Sequence, residues 1–330
     1  MSRPLGLAIV GCGRVAAKRA YALGRARLTW CVDVERARAE HIAVQVGGDV
    51  RVSTDWRDVL TARDVDAVVV ATSHDGLAPI ATAAAAAGKH VLVEKPAAKH
   101  VSELAALADA ARATGVCVRV GYNHRFHPAL LTARALVDAS ELGDLHYVRG
   151  RYGHGGRLGY EREWRADAER SGGGELLDQG VHLIDLARWF LGELDVAAGM
   201  TRTYFWDTPV DDNAFVLLAG ERGRVAWLHS SWTEWKNTFS FEITGSLGKL
   251  EVTGLGGSYG TERLAWYRML PTLGPPETTI WEYPGEDGSW ALEMAAFVDD
   301  VAERRESVPG IADARAVLAI VERVYAGSSP

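Results

Sequence analysis

At 330 residues the chain exceeds what one hydrophobic core usually fills, so two domains are expected. Hydrophobic residues at 48% and charged residues at 24% describe an ordinary globular chain, and a net charge of −7 without any Lys/Arg run excludes a nucleic-acid backbone as partner. Cys12, Cys31 and Cys117 are too few and too scattered for a disulfide framework or a metal cluster, so they read as small buried hydrophobes of a reducing compartment.

Met1–Pro4 lead straight into an apolar run without the charged, apolar and cleavage regions of a signal peptide. No stretch approaches the ~18–20 apolar residues of a membrane span, so a cytoplasmic protein with no membrane partner is expected. Strand and helix signals then alternate. Strands are predicted at Leu7–Val10, Leu28–Val32, Ala67–Ala71, His90–Glu94 and Val116–Gly121, apolar almost throughout. Helices are predicted at Val15–Leu23, Arg36–Gln45, Trp56–Leu60, Pro79–Ala87 and Val101–Thr114, the last stopped by Gly115. Apolar strands separated by helices indicate a parallel sheet covered on both faces, a doubly wound α/β (Rossmann) domain over residues 1–122.

From residue 123 to 330 the pattern becomes α+β. A helix (Ala129–Ala139), a strand (Leu145–Arg151) and a Gly/Arg-rich loop (Gly153–Gly174) precede a strong helix, Glu175–Leu191. Alternating runs follow at Ala197–Phe205, Asp212–Ala219, Arg224–Ser231, Thr238–Thr244, Lys249–Thr253, Arg263–Arg268 and Thr278–Tyr283. Glycine turns between them predict a large open, mostly antiparallel sheet, one face covered by helices and the other available for a homodimer or homotetramer. Two closing helices, Trp290–Arg304 and Ile311–Tyr325, are expected to pack back on the first domain.

Gly11-Cys12-Gly13-Arg14-Val15-Ala16 follows a strand and opens a helix, forming G-x-G-x-x-A. The first glycine permits a tight turn and the second lets the backbone approach a pyrophosphate held at the helix N-terminus. Asp33, at the end of the second strand, suits the ribose hydroxyls of NAD and repels the 2′-phosphate of NADP; Arg36 and Arg38 leave NADP open. Lys95 follows the strand His90–Glu94 and projects toward the cofactor crevice, where an ammonium stabilises charge developing on a substrate oxygen. On the helix from Glu175, Asp178 and His182 stand at i, i+4 on one face. The histidine suits taking a hydroxyl proton and the aspartate suits binding substrate hydroxyls; no third ligand stands at metal spacing.

The string Ala87-Gly88-Lys89-His90-Val91-Leu92-Val93-Glu94-Lys95-Pro96 resembles the Gfo/Idh/MocA family of sugar and cyclitol oxidoreductases. So do the N-terminal turn, Gly121-Tyr122-Asn123-His124-Arg125-Phe126, and the run from Gly172-Gly173-Gly174 through Asp178 and His182 to Asp185. The resemblance covers essentially the whole chain. It implies that Lys95, Asp178 and His182 converge on the reacting carbon, and that the bond before Pro96 is a candidate cis peptide. Two departures stand out: Thr72-Ser73-His74-Asp75 where many relatives have Thr-Pro-Asn, and Leu77 where histidine is frequent. His74 reads as a loop residue.

Cofactor contacts are therefore expected from Gly11, Gly13, Arg14, Val15, Asp33, Thr72, Ser73, Glu94, Lys95, Asn123 and Arg165. Substrate contacts are expected from Lys95, Arg125, Tyr152, Tyr160, Trp164, Asp178 and His182. The expected reaction is hydride transfer between the nicotinamide and a secondary alcohol of a sugar, cyclitol or sugar derivative, with no metal. Transient oxidation, elimination and re-reduction at a glycoside is one alternative, and a non-catalytic NAD sensor another.

Overall fold

The apolar runs of the first third are too short to be buried helices and carry β-branched residues at their centres, so they pair as strands. The computed structural model describes residues 3–327. Met1 and Ser2, where the expectation about a leader begins, and the last three residues of the expected 123–330 domain lie outside the described residues.

The early strands are β1 (Leu5–Val10), β2 (Ala26–Val32), β3 (Arg51–Ser53), β4 (Ala67–Val70), β5 (His90–Glu94) and β6 (Val118–Gly121). They interleave with α1 (Arg14–Tyr21), α2 (Arg36–Val46), α3 (Asp58–Thr61), α4 (His74–Ala86) and α5 (Glu103–Thr114). The strands form one sheet in the order β3-β2-β1-β4-β5-β6, every pair parallel. Strand order reverses between β1 and β4, the place where open α/β sheets receive ligands. Gly11 and Ala71 stand at the carboxyl ends of these two strands. Leu7, Ile9, Val69 and Leu92 are fully buried in the core of this sheet.

The second set is α6 (Pro128–Asp138), β7 (Leu145–Gly153), α7 (Ala168–Ser171), α8 (Val181–Leu191) and β8 (Leu194–Arg202). Then come β9 (Asn213–Gly220), β10 (Val225–Ser231), β11 (Thr238–Gly245), β12 (Gly248–Thr253), β13 (Glu262–Arg268) and β14 (Glu277–Tyr283). Among the described residues these strands form an eight-stranded sheet, β14-β13-β12-β11-β7-β10-β9-β8, antiparallel except for the parallel pair β7–β10. Alternation sorts its faces. Leu228, Gly150, Phe241, Val252 and Leu264 run in register across the sheet, and Gly150 leaves room for Leu183 of α8. Trp227 and Leu217, paired on the opposite face, are exposed.

The closing helices are α9 (Ser289–Glu303) and α10 (Ile311–Gly327). By contact density the chain forms two units. The first comprises the residues up to Tyr122, Glu169–Gly172 and Trp290–Leu318, so Met294 and Phe297 of α9 join the core of the parallel sheet. The second comprises Asn123–Ala168, Gly173–Ser289 and the residues from Ala319 on. Among the described residues no helix is long and apolar enough to cross a membrane.

Three local expectations need correction. The short edge strand β3, with only three residues, carries too little alternation to be read from sequence. Helix α4 begins at His74, not Pro79: Ser73 takes the N-cap position, Asp75 complements the first turn, and the proline lies inside the helix. The helix expected from Glu175 opens as a π turn, Leu176–Gly180, before α8.

Candidate active-site residues

The cofactor side begins at the turn after β1. Gly11 has a φ of 88°, and a Cβ there would stand 2.6 Å from the Ala71 carbonyl oxygen. Gly13 is the N-cap of α1 with no side-chain cap, and a Cβ there would meet nothing within 4 Å. An open helix N-terminus with uncapped N–H groups is what a pyrophosphate requires, so the residues fit a dinucleotide. Arg14 and Val15 open α1. Asp33 is almost fully buried, accepting the Cys12 N–H at 2.7 Å and the Glu35 N–H at 2.9 Å. Two carboxylate oxygens offer about four lone-pair sites, so capacity remains for ribose hydroxyls. Arg36 and Arg38, which left NADP open, are paired with Glu40 and Glu35, each at 2.8 Å.

Thr72 and Ser73 lie between β4 and α4. The Thr72 hydroxyl donates to the Ser73 carbonyl at 3.0 Å, and the Ser73 hydroxyl donates to Asp75 at 2.5 Å. His74 is a buried first-turn residue of α4, not a loop residue, with Nδ1 2.8 Å from the Ser171 carbonyl oxygen. Lys95 follows β5 half-buried, and its bond to Pro96 is cis. Glu94, expected at the cofactor, is buried in an ion pair. Its carboxylate accepts from the fully buried Arg19 Nε at 2.8 Å, while Arg19 also reaches Glu293 at 2.5 Å. Gly121, paired with Glu94 in register, leaves the space: a Cβ there would stand 2.9 Å from the Glu94 carboxylate. Burial, with the nearby Glu94 charge, pushes the Glu293 carboxyl up to about 7 against the opposing pull of Arg19.

The catalytic candidates of the second unit stand on the π turn and α8. Asp178 is buried, and Arg165 Nε donates to its carboxylate at 2.8 Å. Burial lowers the Arg165 pKa but Asp178 and its neighbours outweigh it, so the guanidinium stays charged. Arg165 also lies over the Trp164 ring, 4.5 Å to the centroid. His182 is buried, its ring 3.8 Å from that of His124 and 6.1 Å from that of Tyr152. Tyr152 packs in turn against Tyr259 at 5.4 Å, and Tyr160 lies between Trp206 and Trp232. Burial first, and then the carboxylates of Glu175 and Asp178 among other neighbours, raise the pKa of Tyr152, Tyr160 and Tyr259, so these phenols stay protonated and able to donate.

Two of the expected contact residues also make hydrogen bonds within the second unit. Arg125 makes a buried two-point pair with Asp185, Nε at 2.8 Å and Nη2 at 2.6 Å, because the turn Asn123–Phe126 faces α8. Asn123 donates to the Ser289 hydroxyl at 2.8 Å. Sequence reasoning missed His124, Tyr259 and Glu175 as neighbours of the pair. His124 was within reach, standing in a motif already singled out; nothing near Tyr259 in sequence marks it.

A parallel sheet with an open glycine cradle, and a second unit burying an aspartate held by an arginine and a histidine among aromatic rings, define a dinucleotide-dependent oxidoreductase. Residues 5–122 match the Gfo/Idh/MocA oxidoreductase family with NAD-binding Rossmann fold, and residues 130–251 its C-terminal domain. The chain belongs to the Gfo/Idh/MocA oxidoreductase family. It is 31% identical to levoglucosan dehydrogenase of Pseudarthrobacter phenanthrenivorans over 52% of this chain and 44% of that protein. It is 27% identical to the NAD(+)-dependent scyllo-inositol 2-dehydrogenase of Bacillus subtilis, over 100% of this chain and 95% of the relative. The structure of GenD2 from gentamicin A biosynthesis, in complex with NAD, superposes with a TM-score of 0.85 at 28% identity, covering 99% of this chain and 95% of that one.

Proposed function

We propose that the protein is an NAD-dependent dehydrogenase or ketoreductase acting on a secondary alcohol of a sugar or cyclitol. The observation that carries this reading is the buried pair Asp178 and His182 on one helical segment, with Arg165 holding the carboxylate. The relatives that act on levoglucosan and on scyllo-inositol support the substrate class. Bound NAD supplies the hydride acceptor. His182 takes the hydroxyl proton on a ring nitrogen in oxidation and returns it to the ketone oxygen in reduction. The Asp178 carboxylate, held by Arg165 Nε at 2.8 Å, accepts from a neighbouring substrate hydroxyl and fixes the sugar. Lys95 stabilises the negative charge that develops on the reacting oxygen. The aromatic shell keeps bulk water from His182. The exposed face bearing Trp227 and Leu217 serves contact between copies of the chain.

The test is a panel of sugars, cyclitols and nucleotide sugars with NAD and NADP, followed at 340 nm. Turnover of a polyol with NAD supports the reading. His182→Ala is expected to lose about 10²–10⁴-fold in kcat with NADH binding retained. Full activity in Lys95→Ala or His182→Ala refutes the assigned roles, and product formed without absorbance change points to transient redox chemistry.

A further inference from the structure

The triple glycine before the π turn has a structural reason that leads to two residues outside the motif. A Cβ on Gly174 would stand 2.0 Å from the Asp211 carbonyl oxygen, and one on Gly173 would stand 2.5 Å from the Tyr325 hydroxyl. Asp211, nearly fully buried just before β9, grips this backbone at three successive N–H groups. One carboxylate oxygen accepts from Gly174 N at 3.0 Å and the other from Leu176 N at 2.9 Å. The Asp211 carbonyl accepts from Glu175 N at 2.9 Å. Tyr325, near the end of α10, completes the grip: its hydroxyl donates to Asp211 Oδ1 at 2.8 Å and accepts from Gly174 N at 3.1 Å. Gly180, at the far end of the turn, packs against Ser230 of β10, where a Cβ would stand 3.0 Å from the hydroxyl.

What the grip holds is a winding that backbone preference alone disfavours, since isolated π turns are rare. One residue more per turn rotates everything before it by about 100° and shifts it by about 1.5 Å relative to the helix that follows. Asp178 lies inside this turn and His182 just after it, so the winding decides where one faces relative to the other. The carboxylate–N–H contacts also act at a helix start, where negative charge is favoured.

We propose that Asp211 and Tyr325 are positioning residues, which hold the π turn so that the Asp178 carboxylate meets Arg165 and stands in fixed relation to His182. The assignment rests on the proposed roles of Asp178 and His182 for its catalytic consequence, and on hydrogen bonds alone for its structural one. Burial and the Asp211 charge both raise the Tyr325 pKa, so the hydroxyl remains a donor across the working range.

The test uses Tyr325→Phe, which removes one hydroxyl at constant bulk, and Asp211→Asn, which removes an acceptor at constant shape. Crystal structures of the variants are expected to show Leu176–Gly180 rewound toward an α-helix and the 2.8 Å Arg165–Asp178 contact opened. The NMR titration of His182, assigned by its loss in His182→Gln, is expected to shift, because Asp178 has moved. With levoglucosan and scyllo-inositol as probes, kcat is expected to fall about 10–100-fold while the Kd for NADH stays unchanged. An unmoved π turn with an unshifted His182 titration overturns the proposal, whatever kcat does. If Asp211→Asn does not fold, Tyr325→Phe alone decides. If the wild-type enzyme turns over neither probe, crystal structure and titration still decide the clamp, and only the reading of the substrate class fails.

Discussion

Gly11 and Gly13 share one short motif, yet alanine at each should do opposite things. Gly11 sits at φ 88°, and an added Cβ would lie 2.6 Å from the Ala71 oxygen, 2.7 Å from its carbon and 2.8 Å from Thr72 N. None of these backbone atoms can swing aside, because Ala71 N is bonded to the Val10 carbonyl and Gly11 N to the Val32 carbonyl, both at 2.8 Å. The left-handed conformation costs about 1–2 kcal/mol and the overlap about 1–3 more. Gly11→Ala should therefore lose roughly 2–5 kcal/mol and lower the melting temperature by roughly 4–20 °C. Gly13, with φ −85° and ψ −161°, is in extended backbone that alanine adopts freely, and its Cβ meets open space. Gly13→Ala should melt within about 3 °C of wild type, because the loss at the N-cap and the gain from a stiffer unfolded chain are both below ~1.5 kcal/mol. Its methyl fills the cradle, so NADH affinity should fall at least tenfold, or about 1.4 kcal/mol. Differential scanning calorimetry and isothermal titration with NADH separate the two. Wild-type NADH affinity in Gly13→Ala would refute the assignment of that open space to the pyrophosphate; wild-type stability in Gly11→Ala would refute the steric reasoning.

Asp33→Asn keeps an acceptor for the Cys12 N–H but removes the charge that repels a 2′-phosphate. The ratio of NADPH to NADH affinity should rise about tenfold, and an unchanged ratio means the carboxylate does not select between them. Glu293 supplies a pH prediction. Its carboxyl is raised in the folded state to about 7 from the ordinary 4.5, so the folded chain holds this proton more tightly than the unfolded one. The stability it contributes is therefore present below about pH 4.5 and lost as pH rises toward 7. Glu293→Gln lacks this loss, so its melting temperature should fall less than that of wild type between pH 5 and 8. Parallel curves would show that Glu293 is ionised throughout.

The parts of the fold and site that could be read from sequence are those whose causes are local. The glycine turn, the strand ends and the stop at Gly115 each follow from one or two residues and the conformations they permit. Lys95, Asp178 and His182 stood out because each lies at a place where a strand end or a helix face presents a side chain. The eight-stranded sheet was legible for the same reason, since alternation in β11 and β12 is a property of the strand itself.

What sequence could not supply is the partner across the chain. Glu94 and Lys95 are neighbours in one motif, and nothing in the motif says that one of them pairs with a buried arginine. Glu94 pairs with Arg19, 75 positions away, and through Arg19 reaches Glu293 on α9. Arg125 and Asn123 are likewise polar residues in a conspicuous string whose partners, Asp185 and Ser289, lie far along the chain. The triple glycine is the instructive case. A glycine run reads as flexibility, yet Gly173 and Gly174 lack side chains because Tyr325 and Asp211 occupy the space where a Cβ would go. The same absence of side chains that suggests a loose loop marks tightly gripped backbone beside Asp178, and only the pairing with distant residues distinguishes the two.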